Sequence, residues 1–195
     1  DRTWNDESRS LFLRLLASGP ALLQVWEEID FVDIPGRLIP EWLAIRNRPS
    51  ASAAHRYTID RHSVEVVTRL GRETPRGNRY DDRHYQALLL AGILHDVGKR
   101  PGVADHAAEG ARHASMVLKR MGFDRDIIWW VTLLVREHLT LSEFATGQNP
   151  NDPNVGDELA SRLDHDPLLL DMLFDLTRAD GSSLGATAGE TISKQ

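Results

Sequence analysis

The residues Leu88-Leu89-Leu90-Ala91-Gly92-Ile93-Leu94 form an unbroken apolar run that stops abruptly at His95-Asp96, with Lys99 close behind. So greasy a segment belongs inside a fold. Burying an ionised carboxylate at its end costs several kcal/mol or more unless a partner or a metal compensates it. His95-Asp96 therefore reads either as a ligand pair or as a helix end with solvated polar residues, and a dipeptide alone fits both.

A chain of 195 residues is enough for one compact domain with a real core. The net charge of -6 argues against a general nucleic-acid binder. It leaves room for a local basic pocket for phosphate, because steering depends on where charges sit and not on their sum. The absence of cysteine excludes disulfides and thiolate metal sites, so any metal must be held by histidines and carboxylates. No continuous apolar span of about 18 residues and no signal peptide is visible, which predicts a cytoplasmic protein with no membrane contact. The chain opens at Asp1 without a methionine and stops soon after Asp180, as expected of a piece of something longer.

The punctuation is that of short loops between helices. Leu11, Phe12, Leu15 and Leu16 fit a helix from Glu7 to Ala17, which Gly19-Pro20 separates from a second over about residues 21–29. Residues 30–52 carry Pro35, Pro40 and Pro49 and read as a largely extended lead-in that packs on the domain by its apolar side chains, with room for one short helical turn. Asp60 is placed to cap a helix containing Val64, Val67 and Leu70 and closed by Gly71; Asp81 or Asp82 caps the next, which runs through Leu94. Asp105 and Asp124 open two more, the first ending at Gly122, and Asp152-Pro153 and Asp166-Pro167 place proline at the first position of the last two. No period-2 strand is evident, and the fold class expected is all-α, with a tail after Asp180 that is frayed or cut short.

Helical placement lets the titratable residues be read together. His62 falls in the first turn of its helix beside Val64 and Val67, His95 and Asp96 end the next, and His106 follows the Asp105 cap. His138 continues the stripe of Val131, Leu134 and Val135, and Asp180 continues that of Leu173 and Leu176. Any one of them has an ordinary structural explanation. Together they aim imidazoles and carboxylates from five helices toward one interior, a donor set that suits Mn²⁺, Fe, Zn²⁺ or Mg²⁺, and an Asp can bridge two ions about 3.5 to 4 Å apart.

The order His62, His95-Asp96, Asp180 resembles the signature of the HD-domain metal-dependent phosphohydrolases, with His106 and His138 where dinuclear members carry further histidines. The segments around His55 to His62, Leu94 to Lys99, Asp105 to Ala111, Leu134 to Leu139 and Leu176 to Asp180 are similar, one by one, to the uridylyl-removing domain of the bifunctional uridylyltransferase/uridylyl-removing enzymes, over about residues 40–180. The resemblance implies a helical linker and lead-in over 1–52, a single HD-type domain over 53–180 and a tail over 181–195. It also implies a transferase domain upstream and paired sensory domains downstream in the full-length relatives. One departure stands out: Glu137-His138 occupies a place where members commonly have two histidines, so the ligand role carries over to His138 alone.

The resemblance further implies one ion held by His62, His95, Asp96 and Asp180 and another by Asp96, His106 and His138. Such ions acidify water for attack on phosphorus. The implied substrate is a PII nitrogen regulatory protein carrying UMP or AMP on a tyrosine, whose phenolate is a tolerable leaving group. Lys99 is placed to neutralise phosphoryl charge, or else is simply a helix-end lysine favoured by the dipole. Two alternatives differ in class: hydrolysis of a small nucleotide such as a dNTP or guanosine tetraphosphate, and a non-catalytic PII-binding module. His113 reads as solvated or as a supporting residue, His55 and His84 as surface or packing residues, and Trp129-Trp130 as a core aromatic beside an exposed one. Arg61, Arg100 and Arg136 flank ligands and could meet phosphate or an acidic neighbour.

Overall fold

The computed structural model describes residues 4–50, 57–74, 79–147 and 152–183. They are helical nearly throughout; no strand occurs among them, and the sole strand-like pairing is an isolated bridge between Pro49 and Thr58. The elements are α1 (Asp6–Leu16), α2 (Ala21–Phe31), α3 (Ile34–Leu38), a 3-10 turn (Pro40–Ala44), α4 (Ile59–Glu73), α5 (Asp82–Leu94), α6 (His106–Met121), α7 (Arg125–Glu137), α8 (Thr140–Gly147), α9 (Pro153–Arg162) and α10 (Pro167–Ser182). Among the described residues no helix is long and apolar enough to cross a membrane.

Short polar residues start most of these helices, as the sequence predicts. The side chains of Asp81, Asp105, Asp124, Asp152 and Asp166 each accept a hydrogen bond from a backbone N–H in the first turn of the following helix. Gly122 ends α6 in the left-handed conformation at φ 78°, where a Cβ would be strained.

Three readings of the sequence are corrected. Thr58, not Asp60, is the N-cap of α4; Asp60 lies buried in the first turn and accepts a hydrogen bond from the Asn47 N–H at 3.0 Å. Gly71 does not close α4, which continues to Glu73; its missing side chain makes room for Gly19, whose Cα would sit 3.2 Å from a Cβ built there. The lead-in is also more helical than its prolines suggest, because Pro35 and Pro40 occupy the first turns of α3 and the 3-10 turn, where a missing N–H costs nothing.

The apolar run is the axis of the domain: every residue from Ala87 to Leu94 in α5 is buried. Gly92 lets α4 approach, since a Cβ there would meet Leu70 Cδ1 at 2.9 Å. α4, α7 and α10 pack against α5, α6 packs on α7, and Phe12, Leu16, Leu22, Trp26 and Trp42 from the N-terminal elements join the same core.

Candidate metal centre

The chain folds so that α4, the end of α5, the start of α6, the end of α7 and the end of α10 converge. His62 lies one turn into α4, His95 is the C-cap of α5, His106 is the first residue of α6, His138 is the C-cap of α7, and Asp180 is in the last turn of α10. All six residues proposed from the sequence as ligands are brought together. Their donor atoms form two groups, His62, His95 and Asp180 in one and Asp96, His106 and His138 in the other, with the atoms of each group within 4.8 Å of one another.

The four imidazoles stand in a row. Ring centroids are 5.4 Å apart for His62 and His95, 5.3 Å for His95 and His138, and 5.4 Å for His138 and His106. Asp96 lies between the two groups, almost wholly buried. Its Oδ2 is 3.4 Å from His95 Nε2, while its Oδ1 is 3.7 Å from His138 Nε2 and 3.9 Å from His106 Nε2. Asp180 Oδ1 is 2.8 Å from His62 Nε2 and 3.8 Å from His95 Nε2.

Helix ends fix which nitrogen faces inward. His95 Nδ1 donates to the Gly92 carbonyl at 2.8 Å and His138 Nδ1 to the Val135 carbonyl at 2.7 Å, each reaching back three residues to the last turn of its own helix. His62 Nδ1 points to the Ser183 carbonyl at 3.3 Å. These bonds leave the Nε2 lone pairs directed at the centre, the tautomer a metal ligand needs. The carbonyl partners were not singled out from the sequence, although a histidine just past the end of a helix is a signal for them.

Nε2 of His95, His106 and His138 and Oδ1 of Asp96 are buried without a hydrogen-bond partner. Four orphaned polar atoms gathered in one buried cluster are costly in a protein interior unless something binds there. Imidazole nitrogens and carboxylate oxygens are the donor set for divalent Mn, Fe, Zn or Mg, so the residues present fit divalent cations.

The electrostatics agree. Burial by itself would raise the Asp96 carboxyl, but the charges of His95 and Lys99 hold it well below its ordinary value. Burial opposes a proton on His95 as well, yet Asp96 and Asp180 push that imidazole up to about 9: the carboxylates call for a positive charge at this spot. Burial and the neighbouring His95 push His138 down to about 4, and burial lowers His106, which keeps both neutral with a lone pair to give.

Lys99 reaches the same carboxylate, its Nζ donating to Asp96 Oδ2 at 2.7 Å. The other polar residues sort by partner. Arg61 pairs with Glu27 and Glu65, and Arg136 is exposed with Glu137 at 3.8 Å. Glu137 itself is buried and turned toward Thr140, whose hydroxyl donates to it at 2.6 Å. His113 is buried against Glu109 at 2.8 Å and belongs to neither ligand group; His84 stacks on Trp130. Trp130 is packed against the core while Trp129 is exposed, and His55 lies outside the described residues.

Comparison with known proteins places this geometry. Residues 59–171 match the family described as HD domain. The chain is 37% identical over 186 residues to the bifunctional uridylyltransferase/uridylyl-removing enzyme of Streptomyces coelicolor, covering 95% of this chain and 21% of that protein. Against the enzyme of the same description from Mycobacterium tuberculosis identity is 35% over 93% of this chain and 22% of the relative, and against that from Caulobacter vibrioides 31% over 89% and 19%. The chain thus spans about a fifth of the length of these relatives. A family match over most of the chain, laid on a buried histidine and aspartate centre at the ends of five helices, gives its class: the chain belongs to the HD domain family of metal-dependent phosphohydrolases.

Proposed function

We propose that this domain is a phosphodiesterase that removes a nucleotidyl group, UMP in preference to AMP, from a tyrosine of a PII nitrogen regulatory protein. The observation that carries the reading is the position of Asp96 between the two ligand groups, with Oδ2 facing His95 and Oδ1 facing His138 and His106. In this reading His62, His95, Asp96 and Asp180 hold one divalent ion and Asp96, His106 and His138 a second. Bound there, the cations supply acidified water and charge neutralisation at phosphorus. The names of the relatives, uridylyltransferase/uridylyl-removing enzymes, support the choice of substrate.

The protein's own groups do the rest. The carbonyls of Gly92 and Val135 hold two imidazoles in their ligand tautomer, so no reorientation is needed when substrate arrives. Lys99 has three donors; one is used on Asp96, and the others are free to neutralise a phosphoryl oxygen as negative charge builds up. The departing tyrosine phenolate is stable enough, with a conjugate acid pKa of about 10, that no strong general acid is required.

The test is release of UMP from uridylylated PII by the purified domain with Mn²⁺, beside adenylylated PII and a panel of dNTPs and guanosine tetraphosphate. Wild type is expected to act on uridylylated PII and Asp96→Asn to lose at least about a hundredfold, in line with losing a ligand of the reacting centre. Turnover of the small nucleotides without demodification of PII would reject this reading in favour of a nucleotide phosphohydrolase. Binding of PII with no release at all would mark a non-catalytic module.

A further inference from the structure

Beside the metal centre lies a cavity of about 860 Å³, which Lys99 and His106 line together with the residues before α4 and after α5. That is within the range of small-molecule sites. Apolar side chains, among them Ile59 and Val103, line much of it, and two arginines, Arg48 and Arg100, stand in the same wall.

These arginines differ from their neighbours in having no carboxylate. Arg46, in the same wall, is paired with Asp30 and Asp33, and Arg61 with Glu27 and Glu65. Among the described residues neither Arg48 nor Arg100 has an acidic partner; Arg100 is held by backbone carbonyls, donating to Glu41 O at 3.4 Å and Val97 O at 3.5 Å. Among the described residues, two half-buried arginines of one cavity therefore have no acid beside them.

Both are tied to the ligand-bearing elements. The Ile59 N–H at the start of α4 donates to the Arg48 carbonyl at 2.9 Å, three residues before His62, and Pro49 bridges to Thr58. Arg100 follows Asp96 by four residues in the loop that leaves α5. Whatever these arginines hold is therefore registered against phosphorus at the metal centre.

We propose that Arg48 and Arg100 bind the nucleoside half of the substrate and that their donor-only guanidinium groups select uracil over adenine. The inference rests on the phosphodiesterase reading above. A nucleoside joined to a phosphorus at the centre must lie within a few bonds of it, where this cavity is. Apolar walls and a planar guanidinium face accept a flat ring. Arginine offers donors and no acceptor, and at its pairing edge uracil presents two carbonyl acceptors and one N–H where adenine presents one ring nitrogen and an amine, so guanidinium groups find more partners on uracil.

The proposal is tested with the intact chain, Mn²⁺, and three p-nitrophenyl diesters, of UMP, of AMP, and of p-nitrophenyl phosphate itself, alongside calorimetric binding of UMP. Arg48→Gln and Arg100→Gln are each expected to raise KM for the UMP ester and weaken UMP binding about tenfold, the scale of a lost charged hydrogen bond. The preference for the UMP ester over the nucleoside-free diester is expected to fall by the same factor. Arg100→Lys, which keeps the charge and loses the planar fork, is expected to lose the preference for UMP over AMP. Equal losses on all three diesters, or unchanged UMP binding, would overturn the proposal, as would losses confined to modified PII. A wild type that binds UMP through these arginines yet fails to demodify PII would support the pocket and sink the PII reading alone.

Discussion

Gly98 and Gly110 meet backbone to backbone. A Cβ on Gly98 would overlap the amide nitrogen of Gly110 and the carbonyl oxygen of His106 and would lie 2.9 Å from Gly110 Cα. The loop that follows Asp96 is thereby pressed onto the first turns of α6, and this contact brings His106 to the Asp96 carboxylate. The spacing of the metal centre depends on a glycine that carries no functional group.

Gly98→Ala is accordingly expected to cost at least about 3 kcal/mol, because the clash is with backbone, which has no other rotamer to adopt. For a domain of this length that is a fall in Tm of about 6–12 °C. Gly102→Ala is the comparison: φ there is 77°, nothing lies within 4 Å of a Cβ, and the cost is left-handed strain alone, about 1 kcal/mol. Thermal melts of the two variants showing equal shifts would rule out the close approach as the cause.

Chelation is expected to lower Tm. A cation that binds the folded centre and not the unfolded chain stabilises by about 2.7 kcal/mol at a hundred times its Kd, or about 5–10 °C here. Mn²⁺ restored after EDTA is expected to recover the shift in wild type and only part of it in His138→Ala, which removes one donor from one of the two ligand groups. A melt indifferent to EDTA in protein shown to be metal-loaded would mean that the orphaned nitrogens bind nothing that matters to folding.

The difference between what the sequence disclosed and what it concealed follows the range of the interactions. Caps are local: Asp81, Asp105 and Asp124 bond to amides two or three residues on, so they were legible. The six residues that converge at the candidate centre were legible as inward-facing too, since helical periodicity tells which way a side chain faces. Asp60 misled because its partner, the Asn47 amide, comes from the lead-in, and Gly71 because its partner is Gly19. Arg48 left no trace in the pattern: its placement depends on how the lead-in joins α4, which no periodicity encodes.

Glu41 and Arg120 give a dependence on pH. Arg120 in α6 donates to both carboxylate oxygens of Glu41, at 3.1 and 2.7 Å, fastening the lead-in to the domain. Burial alone would raise the Glu41 carboxyl, but the Arg120 hydrogen bonds outweigh it and the pKa falls below the ordinary 4.5. A group depressed on folding stabilises above its unfolded pKa and loses that contribution as pH falls through the folded value. Glu41→Gln is therefore expected to be about 1–2 kcal/mol less stable at pH 7, with the gap to wild type closing below about pH 4.5. Urea titrations at stepped pH check this; a gap that widens in acid would reverse the assigned sign.

Tyr80 and Asp175 couple the entry of the central helix to the helix that carries Asp180. The Tyr80 hydroxyl donates to Asp175 Oδ2 at 2.7 Å, with both residues buried and Arg79 and Arg178 each about 3.6 Å from the same carboxylate. Removing the hydroxyl leaves a buried charged oxygen short of a donor, so Tyr80→Phe is expected to cost about 1.5–3 kcal/mol. Asp175→Asn keeps the shape and removes the charge, and the double variant is expected to be less than additive by about 1 kcal/mol or more, since the two changes break one interaction. Additive losses would mean that the pair contributes through packing. If the coupling is present, its loss should also loosen Asp180 from His62, and elemental analysis of Tyr80→Phe is then expected to show weaker metal retention under mild chelation while the centre's own ligands stay intact.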